Sequence, residues 1–276
     1  MRLHLAVVVA IVISVFIQGF AVAAEKEMTR YVRFQVGDSV AYGIVEGKQV
    51  RQLDGDLFGT WKPTDRTYPL DQVKLLVPSQ PSKVLAVAGN YKSHLGSEQP
   101  SSHPELFLKA PSCLIANGES IVIPKGTKRV DHEAELVIVI GKRAKNVSKK
   151  EALNYVLGVT CGNDVSARDW QKKDVQWWRA KASDTFGPCG PFIVSGIDYG
   201  NLWLQARVNG EVKQKDHTSH MEHGVASVVS WASRHMTLEP GDLIYTGTPG
   251  KTTPLKPGDV VEIELEGVGV LRNKVK

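Results

Sequence analysis

Around residue 33 the chain alternates, with Val32, Phe34 and Val36 on one side and Tyr31, Arg33 and Gln35 on the other. A period of two marks a half-buried strand. The alternation runs through 30–53 and is broken at Gly37-Asp38 and Glu46-Gly47-Lys48, which supply turns. This predicts a small antiparallel β unit that ends near Pro78-Ser79-Gln80-Pro81. Residues 84–88 then open a larger domain as a strand, followed by the loop Gly89-Asn90-Tyr91. Residues 136–140 are apolar and β-branched and read as a buried strand. Ser148-Lys149-Lys150-Glu151 has capping-box spacing and predicts a helix ending at Gly158. Asn146-Val147-Ser148 also fits a glycosylation sequon, but it coincides with that cap and is read as the cap. Residues 202–208 alternate strictly and meet Asn209-Gly210, the strongest short hairpin signal. Val225, Val228, Val229 and Ala232 are spaced for a helix over about 221–235. Pro240-Gly241-Asp242 and Pro257-Gly258-Asp259 are turns ahead of strands at 243–246 and 260–265. Strands outnumber helices and no β-α alternation is seen, so the expected class is α+β and β-rich.

Length and composition fit this picture, since 276 residues with 42% hydrophobic content allow one large domain and a small one. The formal charge is +5, of which Arg2 supplies one. No basic run interleaved with aromatic residues occurs, so no nucleic-acid partner is expected and small anions are favoured only mildly. Cys113, Cys161 and Cys189 are odd in number, lie in or beside apolar segments and show no C-x-x-C spacing. They read as buried free thiols.

The N-terminus adds a location. Arg2 precedes an apolar run over 5–17, and Ala21 with Ala23, or Val22 with Ala24, satisfies a signal-peptidase site. Residues 1–24 therefore read as a signal peptide, 25–81 as the small β-rich unit and 82–276 as the larger domain of an exported, periplasmic protein. The alternatives are a retained anchor, because residues 5–24 just suffice to span about 30 Å of bilayer, or a true start at Met28. Once the signal is cleaved, no stable membrane insertion is expected.

Candidate chemistry centres on Glu133, Glu135 and Asp164. Side chains alternate along a strand, which puts Glu133 and Glu135 on one face, one pleat apart. Two like charges beside a buried strand are costly unless something neutralises them. They could instead occupy the solvated face of a half-exposed strand. With Asp164 as a third carboxylate, the set forms a face of oxygen ligands suited to Mg²⁺, Mn²⁺ or Ca²⁺ rather than Zn²⁺.

These residues sit within longer motifs: Asp131-His132-Glu133-Ala134-Glu135, Asn163-Asp164-Val165-Ser166-Ala167-Arg168-Asp169 and Lys181-Ala182-Ser183-Asp184-Thr185-Phe186-Gly187-Pro188. Leu238-Glu239-Pro240-Gly241-Asp242 and Thr246-Gly247-Thr248-Pro249 follow. In type and order they resemble the core motifs of the fumarylacetoacetate hydrolase family, over roughly residues 83–276. The resemblance implies a mixed sheet rolled on itself behind a small antiparallel β domain, and commonly a homodimer. It also implies that Glu133, Glu135 and Asp164 bind Mg²⁺ or Mn²⁺ and that Lys181 is the active-site lysine. Arg168 and Gln171 match positions that contact substrate, and Thr248 matches one that holds its carboxylate. Asp169 is expected to pair with an arginine or to cap a helix.

A metal with open positions can take a 2-oxo acid through two oxygens and stabilise the enolate formed when a neighbouring bond breaks. Hydrolytic relatives add a lid His with a Glu three residues on to activate water. Here His94 matches the His, position 97 is Ser97, and the nearest acid is Glu98. A second departure is Gly250-Lys251-Thr252-Thr253, where relatives usually carry a Gly-Val-Gly-like run. The reading is a Mg²⁺- or Mn²⁺-dependent hydrolase that cleaves a carbon–carbon bond in a small acylpyruvate-like 2-oxo acid, with His94, Glu98 and Lys181 catalytic. The alternative is an isomerase, tautomerase or decarboxylase on a related 2-oxo or 2-hydroxydienoic acid. From another class comes a non-catalytic exported module that binds metal or carboxylates.

Overall fold

The computed structural model describes residues 27–276. The signal-peptide expectation over 1–24 lies outside the described residues, among which no helix is long and apolar enough to cross a membrane. Strands dominate, as the alternation predicts, and four short α-helices interrupt them: α1 (Lys92–Leu95), α2 (Arg168–Gln171), α3 (Trp178–Ala182) and α4 (Val225–His235).

The larger sheet has twelve strands. From one edge its path runs Trp61–Pro69, Gln49–Gly55, Ser39–Glu46, Thr29–Val36, Gly187–Ser195, Val156–Asn163 and Ala134–Ile140. It continues through Leu243–Tyr245 and Val84–Ala88 to the edge strand Glu105–Lys109. The sheet is mixed, since Leu243–Tyr245 pairs Val84–Ala88 in parallel while its other partner, Ala134–Ile140, is antiparallel. Residues 29–69 form the expected antiparallel meander, and its first strand pairs Tyr31 with Ile193, so it continues the main sheet. A second sheet of five strands packs on the first. Its hairpin from Trp203–Val208 to Glu211–His217 turns at Asn209 and Gly210, with φ of 53° and 80°. Positive φ at both central residues matches strand twist in a two-residue turn.

Ala134–Ile140 is buried along its whole length. Leu136 and Ile138 face the core between the sheets with Val159, Leu204 and Ile263, while Val137 and Val139 face Val84, Ile193, Leu243 and Tyr245. A strand covered on both sides reads as a continuous apolar run, as seen in the sequence.

The helix expected over 148–158 does not form. Ser148 Oγ does donate to Glu151 Oε2 at 2.8 Å, but only a 3-10 turn at Ala152–Tyr155 follows, and Val156–Asn163 is a strand. Its residues Val156, Val159 and Thr160 are β-branched, and pairing with strands on both sides outweighs the local cap signal. Gly158, expected as a helix end, lies mid-strand, where a Cβ would meet Val194 O at 2.4 Å. α4 starts at Val225 rather than near 221, because Met221 is extended and bridges Tyr91 while Glu222 N donates to Asn90 O.

Candidate active site

Antiparallel pairing assembles the acidic group. Register sets Ala134 opposite Asn163 and Glu135 opposite Gly162, and Asp164 N donates to Glu133 O at 2.9 Å. The adjacent strand thus brings Asp164 to the two glutamates. One ligand oxygen from each of Glu133, Glu135 and Asp164 lies within 4.8 Å of the others. All three residues are at most 3% exposed, which removes the solvated-face alternative.

Cations meet two of these carboxylates and not the third. Lys181, on α3, donates from Nζ to Glu133 Oε2 at 2.6 Å and to Asp164 Oδ2 at 2.8 Å. Arg168, on α2, reaches Glu133 Oε1 at 2.6 Å. Burial disfavours charge on Glu133, yet Lys181, Arg168 and His94 together hold its carboxyl below the usual range. Burial likewise opposes charge on Lys181, but Asp164 and Glu133 raise its pKa. Among the described residues Glu135 accepts only from Gly247 N, at 2.6 Å. Burial first, then the charges of Asp164 and Glu133, push its carboxyl well above the ordinary value. A buried carboxylate crowded by two others fits a divalent cation, and three carboxylates suit a hard one such as Mg²⁺, Mn²⁺ or Ca²⁺.

The other expected residues surround a cavity of about 560 Å³ lined by His94, Glu98, Glu133, Glu135, Gln171 and Lys181, among others. Gln171 accepts from Arg168 at 2.9 Å, and its amide N–H groups have no hydrogen-bond acceptor among the described residues. Thr248 lines the same space, but its hydroxyl donates to Ala134 O and accepts from Gln214, each at 2.9 Å. Its proton is therefore already used. His94 sits on α1, between Gly89 and Gly96, whose φ values are 63° and 64°. Its Nδ1 lies 2.6 Å from Gly250 O, and its Nε2 faces Glu133 Oε1 at 4.0 Å. A carbonyl only accepts, so Nδ1 carries the proton and, in the neutral ring, the Nε2 lone pair faces the site. Glu98 lines the cavity, but no hydrogen bond joins it to His94 among the described residues; instead, its carbonyl accepts from Lys92 Nζ at 2.6 Å. Among the described residues Asp169 neither pairs with an arginine nor caps a helix. It accepts from Thr127 Oγ1 at 2.6 Å and Lys128 N at 3.2 Å, tying α2 to the preceding loop.

Two supporting groups escaped the sequence reading. Lys109, 2% exposed, places its Nζ 2.6 Å from Asp164 Oδ1, 3.1 Å from Phe186 O and against Lys181 O, so each of its three N–H groups has an acceptor. The one available signal was a lysine ending an apolar strand. Gln214 links Ala134 N, His132 and Thr248. Nothing in its strand distinguished it beyond its inward position.

With this geometry in view, the comparisons place the chain. A family model described as fumarylacetoacetate (FAA) hydrolase C-terminal matches residues 83–276, and one described as Rv2993c-like, N-terminal, matches 29–78. The chain belongs to the fumarylacetoacetate hydrolase family. A 2-hydroxyhepta-2,4-diene-1,7-dioate isomerase from Mycobacterium marinum superposes with a TM-score of 0.84 at 43% identity, over 90% of this chain and 98% of that one. Mitochondrial oxaloacetate tautomerase Fahd2a of Rattus norvegicus is 39% identical over 75% of this chain and 71% of that protein. A maleylpyruvate hydrolase of Sphingobium sp. SYK-6, solved with manganese(II) and pyruvate, superposes with a TM-score of 0.73 at 29% identity, over 89% of this chain and 98% of that one. Family members thus include isomerases, a tautomerase and hydrolases, and one structure of the fold holds a divalent metal.

Proposed function

We propose that this protein is a divalent-metal-dependent isomerase that interconverts the keto and enol forms of a small anionic 2-oxo acid, such as oxaloacetate. The environment of His94 carries this reading ahead of carbon–carbon hydrolysis. Water activation in hydrolytic relatives uses a His–Glu pair, whereas here a backbone carbonyl orients His94 and, among the described residues, no hydrogen bond joins it to Glu98. The isomerase and the tautomerase among the relatives support the same choice.

Bound by Glu133, Glu135 and Asp164, Mg²⁺ or Mn²⁺ would supply Lewis acidity to the 2-oxo carbonyl. Lys181 keeps one N–H beyond its bonds to Glu133 and Asp164, and its charge attracts the substrate anion. The Gln171 amide donates to a substrate oxygen, and Thr248 holds the floor of the cavity in place. His94 Nε2 takes the proton from the carbon beside the carbonyl. That C–H electron pair becomes the enolate C=C bond, the carbonyl pair moves onto oxygen, and return of the proton from His94 to that oxygen gives the enol. The reverse order gives the keto acid.

Rapid mixing of enol oxaloacetate with the Mg²⁺-loaded protein, followed by ultraviolet absorbance alongside a pyruvate assay, tests the reading. The enol band should vanish faster than in buffer with no pyruvate formed. His94→Ala should slow that decay by about 10²–10⁴, the range for a general base. Rapid release of pyruvate from an acylpyruvate, with the enol of oxaloacetate decaying only at the buffer rate, would move the assignment to hydrolysis.

A further inference from the structure

The helix α1 that carries His94 has four residues, and no side chain caps its start. So short a helix has little stability of its own, and its placement depends on contacts from outside. One segment, residues 216–223, supplies them as it leaves strand Glu211–His217 of the second sheet on the way to α4. Ahead of α1, Tyr91 bridges Met221, and Asn90 exchanges hydrogen bonds with Glu222 and His223.

Within α1 the link to this segment is Ser93. Its Oγ donates to Asp216 Oδ2 at 2.8 Å and accepts from Gly250 N at 3.1 Å. Gly250 O in turn lies 2.6 Å from His94 Nδ1. A hydroxyl has one proton, and giving it to Asp216 turns the oxygen lone pairs toward Gly250. The far end of this chain is held fast. Asp216 Oδ1 accepts from His217 N at 2.8 Å and faces His220 Nδ1 at 2.6 Å, all within its own segment. Burial opposes charge on Asp216, yet the bonds from His220, the His217 amide and Ser93 hold its carboxyl below the ordinary value. The near end has less support. Among the described residues the His94 ring makes one hydrogen bond, to Gly250 O, and Gly250 lies outside any strand or helix at a φ of 62°. The aim of Nε2 toward Glu133 is therefore only as good as the placement of that carbonyl.

We propose that Asp216 is a positioning residue, which through Ser93 fixes α1 and the Gly250 carbonyl together and so aims His94 at the acidic site. This rests on the reading above that His94 takes the substrate proton. Decay of enol oxaloacetate on the Mg²⁺-loaded protein and amide hydrogen exchange of the metal-free protein test it together. Asp216→Ala and Ser93→Ala should each lower kcat about tenfold and leave KM within about twofold, because a misaimed base costs rate and not binding. In a His94→Ala background the same changes should cost nothing further, since no base is left to aim. A general loosening of the site would instead slow the His94→Ala protein as well. Exchange at the amides of His94, Leu95 and Gly250 should speed up about tenfold in both variants, while strand 134–140 keeps its protection. Wild-type kcat in either single variant, unchanged exchange at those amides, or an added loss in the His94→Ala background overturns the positioning role and leaves the isomerase reading standing. A wild type that does not accelerate the decay, or a His94→Ala protein as fast as the wild type, overturns that reading and the role of Asp216 with it.

Discussion

Among the described residues Glu135 carries the sharpest conflict, a buried carboxyl flanked by Glu133 and Asp164 with only the Gly247 amide to meet it. Its folded pKa lies well above the unfolded value of about 4.3. A carboxyl shifted this way contributes stability that is complete below the unfolded pKa and lost as pH rises through the folded one. The metal-free protein should therefore lose melting temperature relative to Glu135→Gln as pH rises above that unfolded value. Because ligation needs the ionised form, the stabilisation by Mn²⁺ should grow over the same rise. Scanning calorimetry of both proteins, with and without Mn²⁺, checks this; a pH-independent gain from Mn²⁺ would contradict it. At this scale the sequence was informative wherever a residue type and a motif coincided, as for Glu133, Asp164, Lys181 and Arg168. It was silent on Lys109, because the acceptors that neutralise that ammonium, Asp164 and the carbonyls of Lys181 and Phe186, come from distant segments.

Among the elements, strands 134–140 and 156–163 form the frame that holds the acids, and their close approach depends on glycine. A Cβ on Gly162 would meet Val137 Cγ2 at 2.3 Å and Tyr245 Cε1 at 2.6 Å. Neither neighbour has room to move, since Val137 and Tyr245 are both fully buried. Gly162→Ala should cost about 1–3 kcal/mol in urea unfolding, the usual penalty of overpacking, and should weaken Mn²⁺ binding because Asp164 lies two residues on. A variant with wild-type stability and metal affinity would contradict that coupling. Periodicity revealed Ala134–Ile140 and Val260–Leu265, whose patterns have one reading. It failed at 148–158, where a genuine Ser148–Glu151 contact suggested a helix and long-range pairing made a strand. Local signals cannot report the two neighbours that claim a segment from either side.

For the whole molecule, the alternation in the first described residues did predict the antiparallel meander. It could not show that Thr29–Val36 joins Gly187–Ser195 and extends one sheet to twelve strands. That sheet fixes the backbone of Glu135 and Asp164 on paired strands, while α1, α2 and α3 bring His94, Arg168 and Lys181 over them. The account therefore makes the chemistry depend on the acidic triad as a metal centre and on the rest of the site only afterwards. The most direct measurement is the decay rate of enol oxaloacetate as Mg²⁺ is titrated into chelator-treated protein, wild type against Glu135→Gln. The account predicts a saturable, protein-dependent rise in the wild type that a chelator reverses, with no rise in the variant. A metal-free protein that already accelerates the decay, or a Glu135→Gln protein that responds like the wild type, would contradict it.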